Sequence, residues 1–160
     1  MPNWKAVTEA APEIAKLVQR RFEDTGLGYL ATIRRDGFPR ISGIEPLFQG
    51  DELWMGMMTN SRKGADLERD PRFSLHNASV DKDVKDGDVK VAGCALLVDD
   101  TPTRDAFRAD VKEIAGHDPG GDFSLFRSDV TEIATVRPGG DVLIIDWWRE
   151  GGEPQHLERK

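Results

Sequence analysis

The most informative stretch of the chain is LWMGMMTNSRKGADLERDPRFSLHNA, residues 53–78. Its first part is an apolar segment with the composition of a β-strand, and it runs directly into Ser61-Arg62-Lys63, a polar and cationic helix start. Backbone N–H groups at the start of a helix have no partner within the helix, and the hydroxyl, guanidinium and ammonium groups are further donors. A phosphate monoester binds such a set of donors. The stretch therefore indicates a site for a phosphorylated cofactor.

The same residues also have a purely structural interpretation. Serine is a common N-cap, so Ser61 can serve only to begin the helix. Arg62 and Lys63 can be solvated surface groups, although a positive charge in a first helical turn opposes the helix dipole. The motif alone leaves the phosphate site and the ordinary helix start open.

Length and cysteine content limit the class of protein. The chain has 160 residues and is most simply one domain, residues 1–160, that can bury a sizeable core. Cys94 is the single cysteine, so an intramolecular disulfide is excluded and a reducing cytosol is favoured. No secretory apolar region begins at Met1, and no apolar run approaches the roughly 20 residues that span a membrane. We expect a cytoplasmic protein with no membrane partner.

The charge balance argues against one class of partner. The formal net charge is −7, and no basic tract with interleaved aromatic residues offsets it. Nonspecific nucleic-acid binding depends mainly on cationic side chains that contact phosphates. We therefore expect no nucleic-acid partner, and any anion site must be local.

Apolar periodicity and turn residues predict the order of the elements. The helices are predicted at 12–22, within an N-terminal region of residues 1–27, at 61–69 before Pro71, and from Thr101 onward. The β-like segments are predicted, in chain order, at 29–33, 41–48, 53–59, 73–78, 89–98, 132–137 and 142–148.

The connections between these elements predict the fold class. Residues 79–88 and 117–122 are predicted as loops, and residues 149–160 as a polar tail. About six or seven strands and three helices occur with hairpin-type links early and late, and without a strand–helix alternation. This order predicts an α+β antiparallel barrel rather than a doubly wound nucleotide-binding fold.

Two stretches carry a resemblance to a known family. YLATIRRDGFPRISGIEPLF, residues 29–48, together with residues 53–78, resembles the core of the pyridoxamine 5'-phosphate oxidase-like, FMN-binding split-barrel family. The shared features are the Asp36-Gly37 hairpin, the helix start at Ser61, the Asp70-Pro71-Arg72 sequence and Gly93 in the fifth strand. The resemblance covers residues 28–98 well, and it implies an antiparallel six- or seven-stranded split β-barrel with short flanking helices.

The resemblance also implies a cofactor, a partner and site residues. It implies a homodimer with two equivalent cofactor sites at the subunit interface, binding FMN or, in the flavin/deazaflavin oxidoreductase branch, a deazaflavin coenzyme. By position, Arg40, Ile41 and Ser42 would line the ring or phosphate. Met57, Met58 and Thr59 would flank the ribityl chain, and Ser61, Arg62 and Lys63 would hold the phosphate. Trp147 would cover the ring from the partner subunit.

Several of these side chains have structural alternatives. Met57 and Met58 belong to a residue type that more often fills a core than cradles a cofactor. Arg40 can simply be exposed after a proline. Trp147 and Trp148 point to opposite faces of one strand, so we expect one in the core and the other at a surface, an interface or a ligand.

Three departures from the family argue against oxidation of pyridoxamine phosphate. Glu45 stands where those oxidases have a substrate-contacting lysine, and its charge repels phosphate. Asp88 stands where they have a flavin-binding glutamine. The tail QHLERK, residues 155–160, lacks their arginine-leucine-histidine substrate motif.

The sequence offers no obvious catalytic residues. His76, His117 and His156 are isolated and share no metal-ligand spacing with Cys94, so no metal site is expected. The cysteine lies in an apolar strand, where a thiol is usually inert. Catalytic residues therefore stay unassigned, which suits a flavoenzyme because the cofactor carries the hydride chemistry.

Two functional hypotheses remain open, with a weaker third. The first is a flavin- or deazaflavin-dependent oxidoreductase that acts on a small organic substrate. The alternative is a split-barrel protein that binds or sequesters a flavin, a deazaflavin or haem without turnover. A third is a dimeric module that has lost its ligand, and the retained Ser61-Arg62-Lys63 argues against it.

Overall fold

The structure is a computed structural model that describes residues 2–116, 118 and 120–160. The helices of the described residues are α1 Trp4–Ala10, α2 Pro12–Thr25, α3 Arg62–Arg69 and α4 Thr101–Ala115. The strands form one antiparallel sheet: β1 Gly28–Ile33, β2 Pro39–Ile44, β3 Pro46–Gln49, β4 Glu52–Met58, β5 Arg72–Asn77, β6 Asp88–Leu97, β7 Phe123–Gly139, β8 Val142–Arg149 and β9 Gln155–Arg159. The loop predicted at 117–122 includes His117 and Pro119, which lie outside the described residues.

The helices begin and end at residues whose chemistry fits those positions. Asn3 caps α1 by accepting a hydrogen bond from Ala6 N at 3.1 Å. Helix α2 begins with Pro12 and ends at Gly26, whose φ of 66° lies in the left-handed region that glycine adopts without strain. None of the described helices is long and apolar enough to cross a membrane.

The sheet follows the order β2-β1-β5-β6-β7-β4-β3. Strand β7 has 17 residues and pairs with β6 along one edge. Its other edge pairs first with β4 and then with β8, and β9 extends β8. Strands β2 and β3 lie at opposite ends of the order but are separated in the chain by Glu45 alone, so the chain itself joins the two ends of the sheet. This is the geometry of a split barrel.

The N-terminal helices and the barrel share one hydrophobic core. Phe22 of α2 and Leu30 of β1 are less than 2% exposed. Trp4 of α1 contacts Phe48 of β3 edge-on, with ring centroids 4.7 Å apart. Fully burying a large apolar side chain contributes about 1.5–3 kcal/mol. Helices α1 and α2 are therefore part of the core rather than peripheral additions.

A β-bulge in β6 explains the glycine at position 93. The register of β6 against β7 shifts between Ala92 and Gly93. A Cβ atom on Gly93 would lie 2.0 Å from the carbonyl oxygen of Asp129. Because the obstacle is backbone, the neighbouring strand cannot move aside without breaking the pairing.

The predicted fold class, an α+β antiparallel split barrel with short flanking helices, is confirmed, but the described part of the chain contains nine strands rather than six or seven. The segment predicted as one strand at 41–48 is two strands, because it pairs with β1 as far as Ile44 and with β4 from Pro46 onward. Part of the polar tail forms β9, whose side chains are all exposed and carry no apolar pattern. The region 1–27, predicted with one helix, contains two.

Candidate cofactor site

A tight turn at the end of β4 builds the start of α3. Ser61 N donates a hydrogen bond to Met58 O at 3.2 Å, and Asn60 adopts a left-handed φ of 61°, which asparagine tolerates. Ser61 Oγ then accepts a hydrogen bond from Gly64 N at 3.2 Å. The sequence prediction of a helix that starts at Ser61 thus corresponds to a helix with Ser61 as its N-cap.

Glycine in the first turn keeps this helix start close to the barrel. A Cβ atom on Gly64 would lie 3.0 Å from Ser61 Oγ and 3.4 Å from Met57 Sδ. Met57 is 6% exposed and belongs to the core cluster. Met57 therefore packs in the core beneath the helix start. This position agrees with the interpretation of the methionine as a core residue.

Asp66 fixes α3 against β1 and β2. Its side chain is 5% exposed, and it accepts hydrogen bonds from Arg40 Nε at 2.7 Å and Thr32 Oγ1 at 2.9 Å. The Arg69 guanidinium contacts the second carboxylate oxygen at 3.2 Å and also donates to the carbonyl of Ile33. Burial alone would raise the pKa of Asp66, but the hydrogen bonds from Arg40, Thr32 and Arg69 outweigh it and hold the pKa below its ordinary value.

Lys63 and Arg62 have different environments at the helix start. Lys63 Nζ donates to Gly43 O of β2 at 2.7 Å. Partial burial lowers the pKa of Lys63, and the charge of Glu45 opposes that shift. The Arg62 side chain is exposed, and no hydrogen bond or ion pair joins it to another described residue. One guanidinium and one half-buried ammonium are thus present beside the N-cap hydroxyl.

This donor set fits a phosphate group. A phosphate carries several acceptor oxygens, and charge-assisted hydrogen bonds from guanidinium and ammonium groups are the strongest that side chains offer. The first-turn N–H groups of α3 add partial positive charge. Glu45 is the nearby charge that opposes an anion, and its effect on Lys63 is smaller than that of burial.

The predicted residues of β2 and β4 divide into engaged and exposed side chains. Arg40 is engaged by the carboxylate of α3 rather than simply exposed. Ile41 is 74% exposed and Met58 is 79% exposed, an unusual position for large apolar side chains. Ser42 precedes the residue that accepts the Lys63 hydrogen bond, and Thr59 lies in the turn before α3; both are partly buried.

Within one chain, Trp147 lies far from the start of α3 and the predicted residues of β2. Register pairing places one row of residues across β2, β1, β5, β6, β7 and β8: Gly43, Tyr29, His76, Lys90, Ala134 and Trp147. Directly opposed residues share a face, but five strand spacings, about 24 Å along the sheet, separate Gly43 from Trp147. Trp148 is 3% exposed, so the two tryptophans face opposite sides as predicted.

Of the residues around Asp66, sequence reasoning named Arg40 but missed Asp66 itself, Thr32 and Arg69 as site residues. A cavity of about 340 Å³ beside this cluster is lined by Arg34, Arg35, Asp36, Arg40 and Asp66. The available signal was an acidic residue three positions before Arg69 on a short helix, the spacing at which side chains meet. That signal is common on solvated helices and does not reveal partners on other strands.

The described residues contain no group of three or more His, Cys, Asp or Glu side chains arranged to hold a metal ion. Cys94 is a free, half-buried thiol in β6. His76 Nδ1 lies 2.7 Å from Asn77 O, and His156 Nδ1 lies 2.6 Å from Asp146 Oδ1. Both histidines are thus engaged with protein groups.

The fold and the site together define a split barrel with a cationic helix start beside an edge strand. The family model described as "Pyridoxamine 5'-phosphate oxidase" matches residues 14–137, which is well over half of the chain. The chain belongs to the pyridoxamine 5'-phosphate oxidase family, and the family resemblance stated from the sequence is confirmed.

Solved structures share the fold at low sequence identity. A pyridoxamine 5'-phosphate oxidase-related, FMN-binding protein from Nostoc punctiforme is 17% identical, covers 94% of this chain and 96% of its own, and has a TM-score of 0.64. PhzG from Burkholderia lata, solved in complex with tetrahydrophenazine-1-carboxylic acid, is 16% identical, covers 99% and 94%, and has a TM-score of 0.63. A haem-binding protein from Mycobacterium smegmatis is 20% identical, covers 89% and 57%, and has a TM-score of 0.57.

These identities are low enough that the likeness concerns the fold alone. A search of curated proteins finds no significant match to the sequence.

Proposed function

We propose that the protein is a flavin- or deazaflavin-dependent oxidoreductase that acts on a small organic substrate, with FMN as the first candidate cofactor. The observation that carries the proposal is the start of α3, where Ser61, a half-buried Lys63 and an Arg62 with no ion pair among the described residues follow one another. An FMN-binding protein with the same fold supports the choice of cofactor.

The phosphate would be held by Arg62 and Lys63, with a hydroxyl contact from Ser61 or Thr59. The bond from Lys63 to the carbonyl of Gly43 ties this phosphate site to β2. Asp66 holds the helix at that position through its bonds to β1 and β2.

The rest of the cofactor would follow β2 and the end of β4. Ile41 and Ser42 would lie along the ring, and the exposed Met58 would flank the ribityl chain. Arg40 would line the ring or phosphate while its Nε keeps its hydrogen bond to Asp66. Met57 is buried and would contribute by supporting the residues that contact the cofactor. A bound flavin or deazaflavin supplies hydride transfer, and the protein residues bind it, orient it and exclude water.

A homodimer would complete the site. Proteins of this family are typically dimeric. Tyr29, Phe38, Ile41 and Met58 are 48%, 68%, 74% and 79% exposed, which is apolar surface that a partner subunit would cover. Trp147 of the partner subunit would then cover the ring. Light scattering across a dilution series tests this, and a stable monomer of 17.8 kDa at micromolar concentration would defeat the shared site.

A binding protein without turnover is the second candidate. A haem-binding protein with the same fold favours it. The single cysteine and the net charge of −7 support a cytoplasmic protein that does not bind nucleic acid in either case.

Identification of the ligand separates these proposals. Absorbance spectra and mass analysis of ligand released from purified protein identify FMN, a deazaflavin or haem. If the protein is purified without a ligand, it is titrated with each of these three compounds instead. Anaerobic reduction followed by reoxidation with quinones, nitro compounds or enones supports the oxidoreductase. A bound cofactor that is redox-silent toward that whole panel refutes the oxidoreductase in favour of the binding protein.

A further inference from the structure

A cavity of about 640 Å³ lies outside the candidate cofactor site, between α2, the loop before β6, and strands β7 to β9. This volume falls within the roughly 300–1,000 Å³ of sites for small molecules. None of the ten residues predicted to bind the cofactor lines it. The cavity is therefore separate from the α3 site.

The floor of the cavity lies on the inner side of the strands. Thr135, Asp146 and His156 oppose one another in register on β7, β8 and β9 and all line the cavity. Alternate residues of a strand point to opposite faces. The cavity is thus on the side away from Trp147, which neighbours Asp146 in β8.

A buried hydrogen bond joins the two elements that form one side of the cavity. Arg21 of α2 donates from Nε to Gly87 O, in the loop before β6, at 2.9 Å. The same guanidinium contacts Asp24 Oδ2 at 2.6 Å, which fixes its orientation. Helix α2 and the loop are thereby joined directly beside the cavity.

Three cations at the cavity form no close ion pair among the described residues, although the carboxylate of Asp81, outside the lining, acts electrostatically on Lys85. Lys16, Arg20 and Lys85 line it, and within the described part of the chain none of them has a carboxylate oxygen within 4.0 Å. The carboxylates of Glu13 and Asp86 also line the cavity without an ion-pair partner among those residues.

The third carboxylate of the cavity is already paired. Asp146 accepts a hydrogen bond from Arg137 at 3.1 Å and lies 2.6 Å from His156 Nδ1. Four permanent cations therefore line the cavity against three carboxylates, in a chain whose net charge is −7. This local excess of positive charge favours an anion.

A hydroxyl at the cavity floor lacks a partner. Thr135 is 1% exposed, and its Oγ1 has no hydrogen-bond partner among the described residues. A buried hydroxyl without a partner is unfavourable by about 1–3 kcal/mol. An oxygen of a bound ligand that reaches the floor would supply the missing hydrogen bond.

Apolar atoms complete the lining. Ile14 and Leu17 of α2, Pro138 of β7 and Pro154 before β9 line the same cavity. A ligand that fits both halves of this lining has one anionic group and an apolar body. Inorganic phosphate alone would satisfy only the cationic part.

We propose that this cavity is a binding site for a small organic anion, whose carboxylate or phosphate group contacts Lys16, Arg20 and Lys85 and whose apolar body lies against Leu17 and Pro138.

The test uses phenyl phosphate, benzoate and inorganic phosphate as probes, with amide NMR shifts as the measurement. Phenyl phosphate and benzoate should shift the amides of Lys85, Gly87, Thr135 and His156, and should bind more tightly than inorganic phosphate. Lys85, Thr135 and His156 line the cavity and Gly87 lies in the loop beside it, so binding at the α3 site would not produce these shifts.

Matched variants distinguish the cavity from a general charge effect. Lys16→Gln with Lys85→Gln should weaken binding about tenfold, whereas Lys82→Gln with Lys112→Gln removes the same charge from exposed positions outside the cavity and should leave it unchanged. Thr135→Val preserves the shape of the floor, so it should fold with equal or greater stability and still bind more weakly. The proposal is overturned if no probe shifts the cavity amides at millimolar concentration, or if the two double variants bind alike.

Discussion

Replacing Asp66 with alanine is expected to loosen α3 from the barrel. The carboxylate is 5% exposed and accepts hydrogen bonds from Arg40 at 2.7 Å, Thr32 at 2.9 Å and Arg69 at 3.2 Å. Two of these bonds are charge-assisted. After the substitution, the Thr32 hydroxyl, on a residue that is 2% exposed, loses this acceptor, and two guanidiniums lose their counter-charge.

The size of the effect follows from these three bonds. Charge-assisted bonds contribute about 1.5–3 kcal/mol and neutral ones about 0.5–1.5 kcal/mol. The side chains of Arg40 and Arg69 are 24% and 34% exposed and regain water, so the lower values apply. Their sum is a loss of about 3.5 kcal/mol in the free energy of unfolding. For a chain of this length, that loss lowers Tm by roughly 7–14 °C.

Urea denaturation of Asp66→Ala and of Glu68→Ala measures the effect. Glu68 is an exposed residue of the same helix without an ion pair among the described residues, so its variant should lie within about 0.5 kcal/mol of the wild type. Cofactor affinity should fall with Asp66→Ala as well, because the helix start shifts. If the two variants have equal stability, the Asp66 network does not hold the helix.

Three further predictions concern the bulge, acid and alkaline conditions. Gly93→Ala should prevent folding or lower the unfolding free energy by several times the roughly 1 kcal/mol typical of point mutants, because the new Cβ would meet the backbone of Asp129. An alanine variant as stable as the wild type would show that the bulge does not require glycine. Because the pKa of Asp66 is lowered in the folded protein, its ionised carboxylate stabilises the fold above the unfolded pKa, and this stabilisation is lost as pH falls through the folded pKa. The urea midpoints of the wild type and Asp66→Asn should therefore converge in acid. A difference that stays constant with pH would contradict this prediction. The hydrogen bond to Asp146, aided by Glu158, raises the pKa of His156, so its stabilisation is present below about pH 6.5 and is lost as pH rises through the folded pKa. The difference in unfolding free energy between the wild type and His156→Gln should accordingly shrink between neutral and alkaline pH. A difference that grows with pH would contradict this prediction.

The sequence predicted those elements whose signals are local. The Ser61 cap, the hairpin at Asp36-Gly37 and the opposite faces of Trp147 and Trp148 depend on neighbouring residues, and all are present. The first part of β7, Phe123 to Thr131, was not predicted as a strand, because charged and polar residues interrupt its apolar pattern. Strand β9 was missed because backbone pairing to β8, rather than burial, holds it.

The candidate site was predicted only in part, for a related reason. The residues of the α3 start are consecutive, so a motif could indicate them. The Asp66 network joins residues 26 and 34 positions apart, and no local pattern records such contacts. Likewise, the position of Trp147 relative to a cofactor depends on a partner subunit, which a single chain does not reveal.

In the proposed function, the start of α3 binds the cofactor phosphate through Arg62 and Lys63. Charged hydrogen bonds contribute roughly 1.5–3 kcal/mol each, so Arg62→Ala with Lys63→Ala should weaken FMN or deazaflavin binding about a hundredfold or more without unfolding the protein. Lys82→Ala with Arg159→Ala removes the same charges from exposed positions and should have no effect.

Titration of these proteins with the phosphorylated cofactor and with its dephosphorylated form is the most direct measurement. The wild type and the control variant should strongly prefer the phosphorylated form, and Arg62→Ala with Lys63→Ala should lose that preference. An equal preference in the wild type and in the Arg62 and Lys63 double variant would show that the phosphate binds elsewhere.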